Sequence, residues 1–131
     1  NGKSKGTIRY ILLSGDGKPS SRLYSPDWSL VEKSEYIYCP FGIIDSWSFY
    51  SLGLASITGL TGKSMNYEIV KSLGKKVIIV PDEGEERDAH ILANRLGWRA
   101  SVKILRYPSG CKDTNDVRMK FDNSTLQEIL L

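Results

Sequence analysis

The chain has 131 residues, of which 40% are hydrophobic and 25% charged, with a net charge of +3. That length suits one domain able to bury roughly two-thirds of its unfolded surface, and the composition excludes a disordered or low-complexity chain. No apolar run approaches the roughly 20 residues that span a bilayer, and Asn1-Gly2-Lys3-Ser4-Lys5 leads into no apolar signal segment, so the expectation is a cytoplasmic protein without membrane association.

The first residue is not Met, which points to a processed chain or a piece of a longer one. Cys39 and Cys111 stand far apart without metal-ligand spacing, and the single His90 completes no zinc site with them. Reduced, structural thiols are expected.

In chain order, residues 6–13 read as a strand, 14–19 as a Gly/Asp/Pro turn and 21–24 as a returning strand. Residues 1–34 are therefore expected to form an N-terminal β-hairpin extension ahead of a main unit over 35–131. Arg9, Lys18 and Arg22 interleave with Tyr10 and Tyr24, as in a nucleic-acid grip but equally as in any half-exposed hairpin. The plainer reading is preferred there.

Residues 35–39 form a second strand, followed by Pro40-Phe41-Gly42-Ile43-Ile44-Asp45 and an amphipathic helix through Trp47, Tyr50 and Leu52 to Gly53. Trp28, Trp47 and Trp98 are expected to be packing residues, with Trp98 covering the sheet edge. Residues 54–57 read as a short strand, and Thr58-Gly59-Leu60-Thr61-Gly62-Lys63-Ser64 opens onto a helix over 65–73. The Gly62-Lys63-Ser64 ending lacks the earlier Gly of a P-loop, whose position is Ile57. A Gly-rich turn before a helix can still cradle phosphate through backbone N–H groups, with Lys63 adding a charge.

The central signal is Val77-Ile78-Ile79-Val80, an uninterrupted β-branched run that predicts a parallel strand covered on both faces. It stops at Pro81-Asp82. From Glu85 onward Ala89, Leu92, Ala93 and Leu96 recur at helical spacing, with Gly97 as the stop. Asp82 thus sits beyond the carboxyl end of a buried strand, where ligands gather in open α/β sheets. Carboxylates in that place suit a hard divalent metal such as Mg²⁺. Asp82 could instead cap the helix, and Glu83, Glu85 and Glu86 complement its dipole.

Residues 100–105 form another strand, followed by Ser109-Gly110-Cys111-Lys112-Asp113-Thr114-Asn115-Asp116. If the two strands are parallel neighbours, Asp113, Asn115 and Asp116 lie beside the Asp82 turn. Asx-type turn bonds are the structural alternative for these residues. Asp122-Asn123-Ser124 offers caps for a last helix carrying Leu126, Ile129 and Leu130.

Three segments together carry a family resemblance: Phe41-Gly42-Ile43-Ile44-Asp45, Val80-Pro81-Asp82-Glu83-Gly84, and the Gly110 to Asn115 segment after the next strand. In order and spacing, residues 35–116 resemble a Toprim domain, most closely the version in bacteriophage and plasmid DNA primases and primase-helicases. The resemblance implies an α/β fold with a parallel sheet of about four strands flanked by helices. It implies catalytic roles for Asp82 and Asp45, metal ligation of Mg²⁺ or Mn²⁺ by Asp82, Asp113 and Asn115, and phosphate contact by Lys112, beside the contact expected of Gly62 and Lys63 from their Gly-rich turn. The implied partners are a DNA or RNA template and nucleotides, with helicase or other replication domains alongside. Phe41 stands where the family carries Glu, and Gly84 where it carries a second Asp. Both changes remove a carboxylate, which weakens the expected metal site and favours the alternative of a non-catalytic binding or scaffolding module; they count against the third alternative, a Toprim-type nuclease.

Overall fold

A computed structural model of the chain describes residues 23–59 and 67–130. The first strand and turn of the expected hairpin, together with Gly62 and Lys63, lie outside the described residues.

The sheet is built around Lys76–Val80 (β4). Tyr36–Pro40 (β2) pairs with it in parallel on one side and Ala100–Val102 (β5) in parallel on the other, giving the order β2-β4-β5. Alternation along β4 divides its side chains between two cores. Val77 and Ile79 join Ile37, Cys39, Phe41 and Ile57 on one face, and Ile78 and Val80 join Phe49, Leu105 and Val117 on the other. The strand is covered on both faces, as its unbroken apolar run requires.

Among the described residues the parallel sheet has three ladder strands, where about four were expected. Segment 54–57 does run parallel beside β2, but through one bridge, Tyr38 to Ser56, flanked by hydrogen bonds from Tyr38 N to Ala55 O and Ile57 N to Tyr38 O, each 2.9 Å. The chain then leaves the sheet, because Thr58–Gly59 (β3) pairs antiparallel with Leu23–Tyr24 (β1). The returning strand of the expected hairpin thus finds its described partner deep in the main unit, and Leu23 is part of the same core as β2 and β4.

Helices fill both layers. Trp28–Lys33 (α1), Tyr67–Ser72 (α3) and Glu86–Leu96 (α4) cover one face, packing Val31, Val70, Ala89, Leu92 and Leu96 into the first core. Ile43–Ser51 (α2), Thr114–Lys120 (α5) and Asn123–Leu130 (α6) cover the other with Phe49, Val117, Leu126 and Leu130. Helix α1 begins directly after Ser25-Pro26-Asp27, since the Asp27 carboxylate accepts from Leu30 N and caps it. In α4 the expected stripe faces inward, and Gly97, at φ +91°, ends the helix with its N–H on Ala93 O.

Two tryptophan expectations are corrected. Trp98 is 82% exposed and so does not cover the sheet edge; the Arg99 guanidinium lies 4.9 Å from its ring. Helix α2 turns Ser46, Ser48 and Phe49 inward and leaves Trp47 and Tyr50 on the outside in edge contact, 5.5 Å apart. Small serines explain the choice: Ser46 is fully buried against segment 54–57, its carbonyl accepting from Ser56 Oγ at 3.0 Å. A bulky face could not approach so closely. Trp28 packs partly buried against the first core, as expected. No helix among the described residues is long and apolar enough to cross a membrane.

Candidate metal centre

Three acids meet at the carboxyl edge of the sheet. Asp45 lies in the first turn of α2 after β2, Asp82 follows β4, and Asp113 ends the loop after β5. One carboxylate oxygen from each lies within 4.8 Å of the other two. They line an open cleft of about 420 Å³ with Phe41, Gly42, Ile43, Ile44 and Asn115. The parallel pairing of β4 with β5 is what brings the two later loops side by side.

Each carboxylate is held differently. Asp45, buried, accepts through Oδ1 from Asn115 N at 3.0 Å and Thr114 Oγ1 at 3.3 Å, tying α2 to the first turn of α5. Its Oδ2 lies on the Gly42 side, 3.1 Å from where a Cβ at position 42 would stand, so glycine there leaves that oxygen room. Asp113 is the N-cap of α5, accepting from Asp116 N at 2.8 Å. A carboxylate has acceptor capacity beyond one cap bond, so the turn role and the cleft role coexist. Asp82 does not cap α4. Glu85 occupies that position, and the Asp82 carbonyl accepts from Glu85 N at 3.0 Å.

Crowding shows in the acidities. Burial, then the charges of Asp45 and Asp113, push the Asp82 carboxyl up to about 7. Burial raises Asp45 to about 6, against the Asn115 N–H that favours its charged form. At neutral pH the cluster is therefore poised to share protons or accept a cation. The donor set is all carboxylate oxygen, without His or Cys, the ligand type that hard cations prefer. These three residues can hold a metal ion.

Tyr107 is a neighbour that the sequence did not single out. Its hydroxyl donates to Pro81 O at 3.0 Å and fixes the turn that carries Asp82. Burial and the nearby Asp82, Asp45 and Asp113 charges push the phenol well above its ordinary range, so it stays a donor. The same turn is clamped on its far side by Glu83 N to Lys112 O at 2.7 Å. Gly84 at φ +90° completes it, with its N–H on the Glu86 carboxylate at 3.0 Å.

Among the expected site residues, Asp45, Asp82 and Asp113 converge and Asn115 lines the same cleft. Lys112 is exposed, and its N–H donates to the Asp116 carboxylate at 3.1 Å. His90 faces solvent. Phe41 is buried in the first core while lining the cleft, so the position where the resemblance expects Glu is an apolar wall.

Asp45 has a structural duty that can be separated from its charge. Asp45→Ala leaves Asn115 N–H and the buried Thr114 hydroxyl without their acceptor and should cost about 2–3 kcal/mol. Asp45→Asn retains an acceptor oxygen and should recover most of that loss; urea unfolding of the two variants measures the difference. Equal losses would mean that the oxygen is not the tie.

A scan against protein-family models returned no match, and searches of curated proteins and of solved structures returned none either.

Proposed function

We propose that this cleft is a Toprim-type site of a primase-like replication protein, engaging nucleic acid or nucleotide phosphates with Mg²⁺ or Mn²⁺ for nucleotidyl transfer. The observation that carries the reading is the convergence of Asp45, Asp82 and Asp113 within 4.8 Å at the carboxyl edge of a parallel sheet. Asn115, on the cleft wall, joins them as a further oxygen donor. The bound ion would neutralise phosphate charge and activate the attacking hydroxyl.

The chain's own groups divide the remaining work. Asp82, whose carboxyl lies near neutrality in the metal-free cluster, gives up its proton as the cation binds, so binding strengthens as pH rises through about 7. Asp45 and the Tyr107 hydroxyl hold the α2 terminus and the Pro81 turn in place, which fixes the distances between ligands. Phe41 and Ile43 give the open cleft one apolar side beside the carboxylates.

A second reading, a binding or scaffolding module without catalysis, is favoured by Phe41 and Gly84 standing where the resemblance expects carboxylates. The deciding experiment incubates the protein with single-stranded template, nucleotides and Mn²⁺, with a chelator control, and follows oligonucleotide length. Metal-dependent synthesis of new strands supports the primase-type reading. Shortened template means a nuclease at the same cleft, and saturable Mn²⁺ binding with neither product leaves the binding module. No Mn²⁺ binding by the folded protein overturns the metal centre.

A further inference from the structure

The opposite edge of the sheet has the opposite chemistry. Glu35, Lys75 and Arg99 immediately precede β2, β4 and β5, so their loops gather at the amino ends of the strands. β4 spans five residues, which places this edge roughly 17 Å from the carboxylate cluster. An open groove of about 440 Å³ is lined there by Lys33, Lys75, Lys76, Trp98 and Arg99, with Glu35 as its acid. A second hollow of about 220 Å³ shares Lys75, Trp98 and Arg99 and adds Lys71.

We propose that this amino edge, where the exposed Trp98 stands among Lys33, Lys71, Lys75, Lys76 and Arg99, binds single-stranded nucleic acid. Two observations point to that occupant. The indole is 82% exposed; the Arg99 guanidinium, 4.9 Å from the ring, lies over one face, and the other face is left for an unstacked base. Five cations line the two hollows that it borders; among the described residues Lys76 contacts Glu35 at 3.9 Å across exposed side chains and lies 5.3 Å from the Tyr36 ring, and Lys75 donates to the Glu32 carbonyl, which carries no net charge. Base stacking on an aromatic beside phosphate-binding cations is the usual chemistry of single-strand recognition.

The turn geometry presents the indole. Gly97 at φ +91° ends α4 and directs the chain outward immediately before Trp98, while Ala100 N returns to Gly97 O at 3.0 Å to start β5. A duplex offers no free base face to such a side chain, and an acidic peptide matches the cations but leaves the indole without a stacking partner. The surface is independent of the carboxylate cleft and needs no metal.

The test is fluorescence anisotropy of a labelled oligothymidylate titrated with the full chain in EDTA, so that failure of the metal centre does not affect it. Trp98→Ala should weaken binding roughly tenfold and Trp98→Phe much less, with thermal unfolding unchanged because the side chain is exposed. The double variant Lys75→Glu/Arg99→Glu should weaken it further and flatten the dependence of log K on log salt by about 1.4. Wild-type affinity in Trp98→Ala, absence of binding at about 50 mM salt, or equal affinity for a polyglutamate of similar length would each overturn the proposal.

Discussion

Asp82→Asn should weaken Mn²⁺ binding by about tenfold or more, while raising the melting temperature of the metal-free protein at about pH 8. Both effects have the same origin. Asp82 and Asp45 hold their protons to about 7 and about 6, above the ordinary carboxylate value near 4. Between about pH 4 and pH 7 the folded chain therefore binds protons that the unfolded chain has released, and stability falls as pH rises. Asn removes the larger of the two penalties. The gain at about pH 8 should be about 1–2 kcal/mol once solvent screening of this half-buried group is discounted, and should vanish below about pH 4. Saturating Mn²⁺ should reverse the order, since only the parent gains the full binding energy. Calorimetric titration and melting curves at two pH values measure all of this. A variant that binds Mn²⁺ as tightly as the parent would remove Asp82 from the site.

Phe49→Ala should cost about 3–5 kcal/mol, a large share of the roughly 5–15 kcal/mol that holds a domain together. Phe49 is fully buried and stacks on Tyr38 with ring centroids 5.0 Å apart, joining α2 to β2. Its removal leaves a cavity between helix and sheet that the close-packed interior cannot refill. The melting temperature should fall by about 10–20 °C. Tyr50→Ala, one residue along and 40% exposed, should cost about 1 kcal/mol at most. Similar losses for the two would mean that α2 is rotated from the orientation described above.

That contrast shows where sequence reading worked and where it did not. The Val77-Ile78-Ile79-Val80 run and the Ala89, Leu92 and Leu96 stripe were legible because each matches one period and one burial pattern. Helix α2 was legible as a helix, but its inward face was not, because hydrophobicity favours Trp47 and Tyr50 and takes no account of how closely Ser46 lets the backbone approach segment 54–57. Helix α5 was invisible: Val117 is its one buried apolar residue, and Asp113-Thr114-Asn115-Asp116 has the composition of a turn. In the site, Asp82 and Asp113 followed from strand ends and parallel pairing. Tyr107 did not, because its role is a hydrogen bond to the carbonyl of Pro81, which no side-chain pattern announces.

Among the described residues, three acids meet at one end of β4 and a cation-lined groove lies at the other, so the two sheet edges carry opposite local charge. A phosphate chain would be drawn to the Trp98 edge and repelled at the edge of Asp45, Asp82 and Asp113. Loading a divalent ion at the acidic edge would lessen that contrast. Divalent metal would thus open the acidic edge to phosphate, an effect confined to the roughly 8–10 Å over which charges are felt in physiological salt.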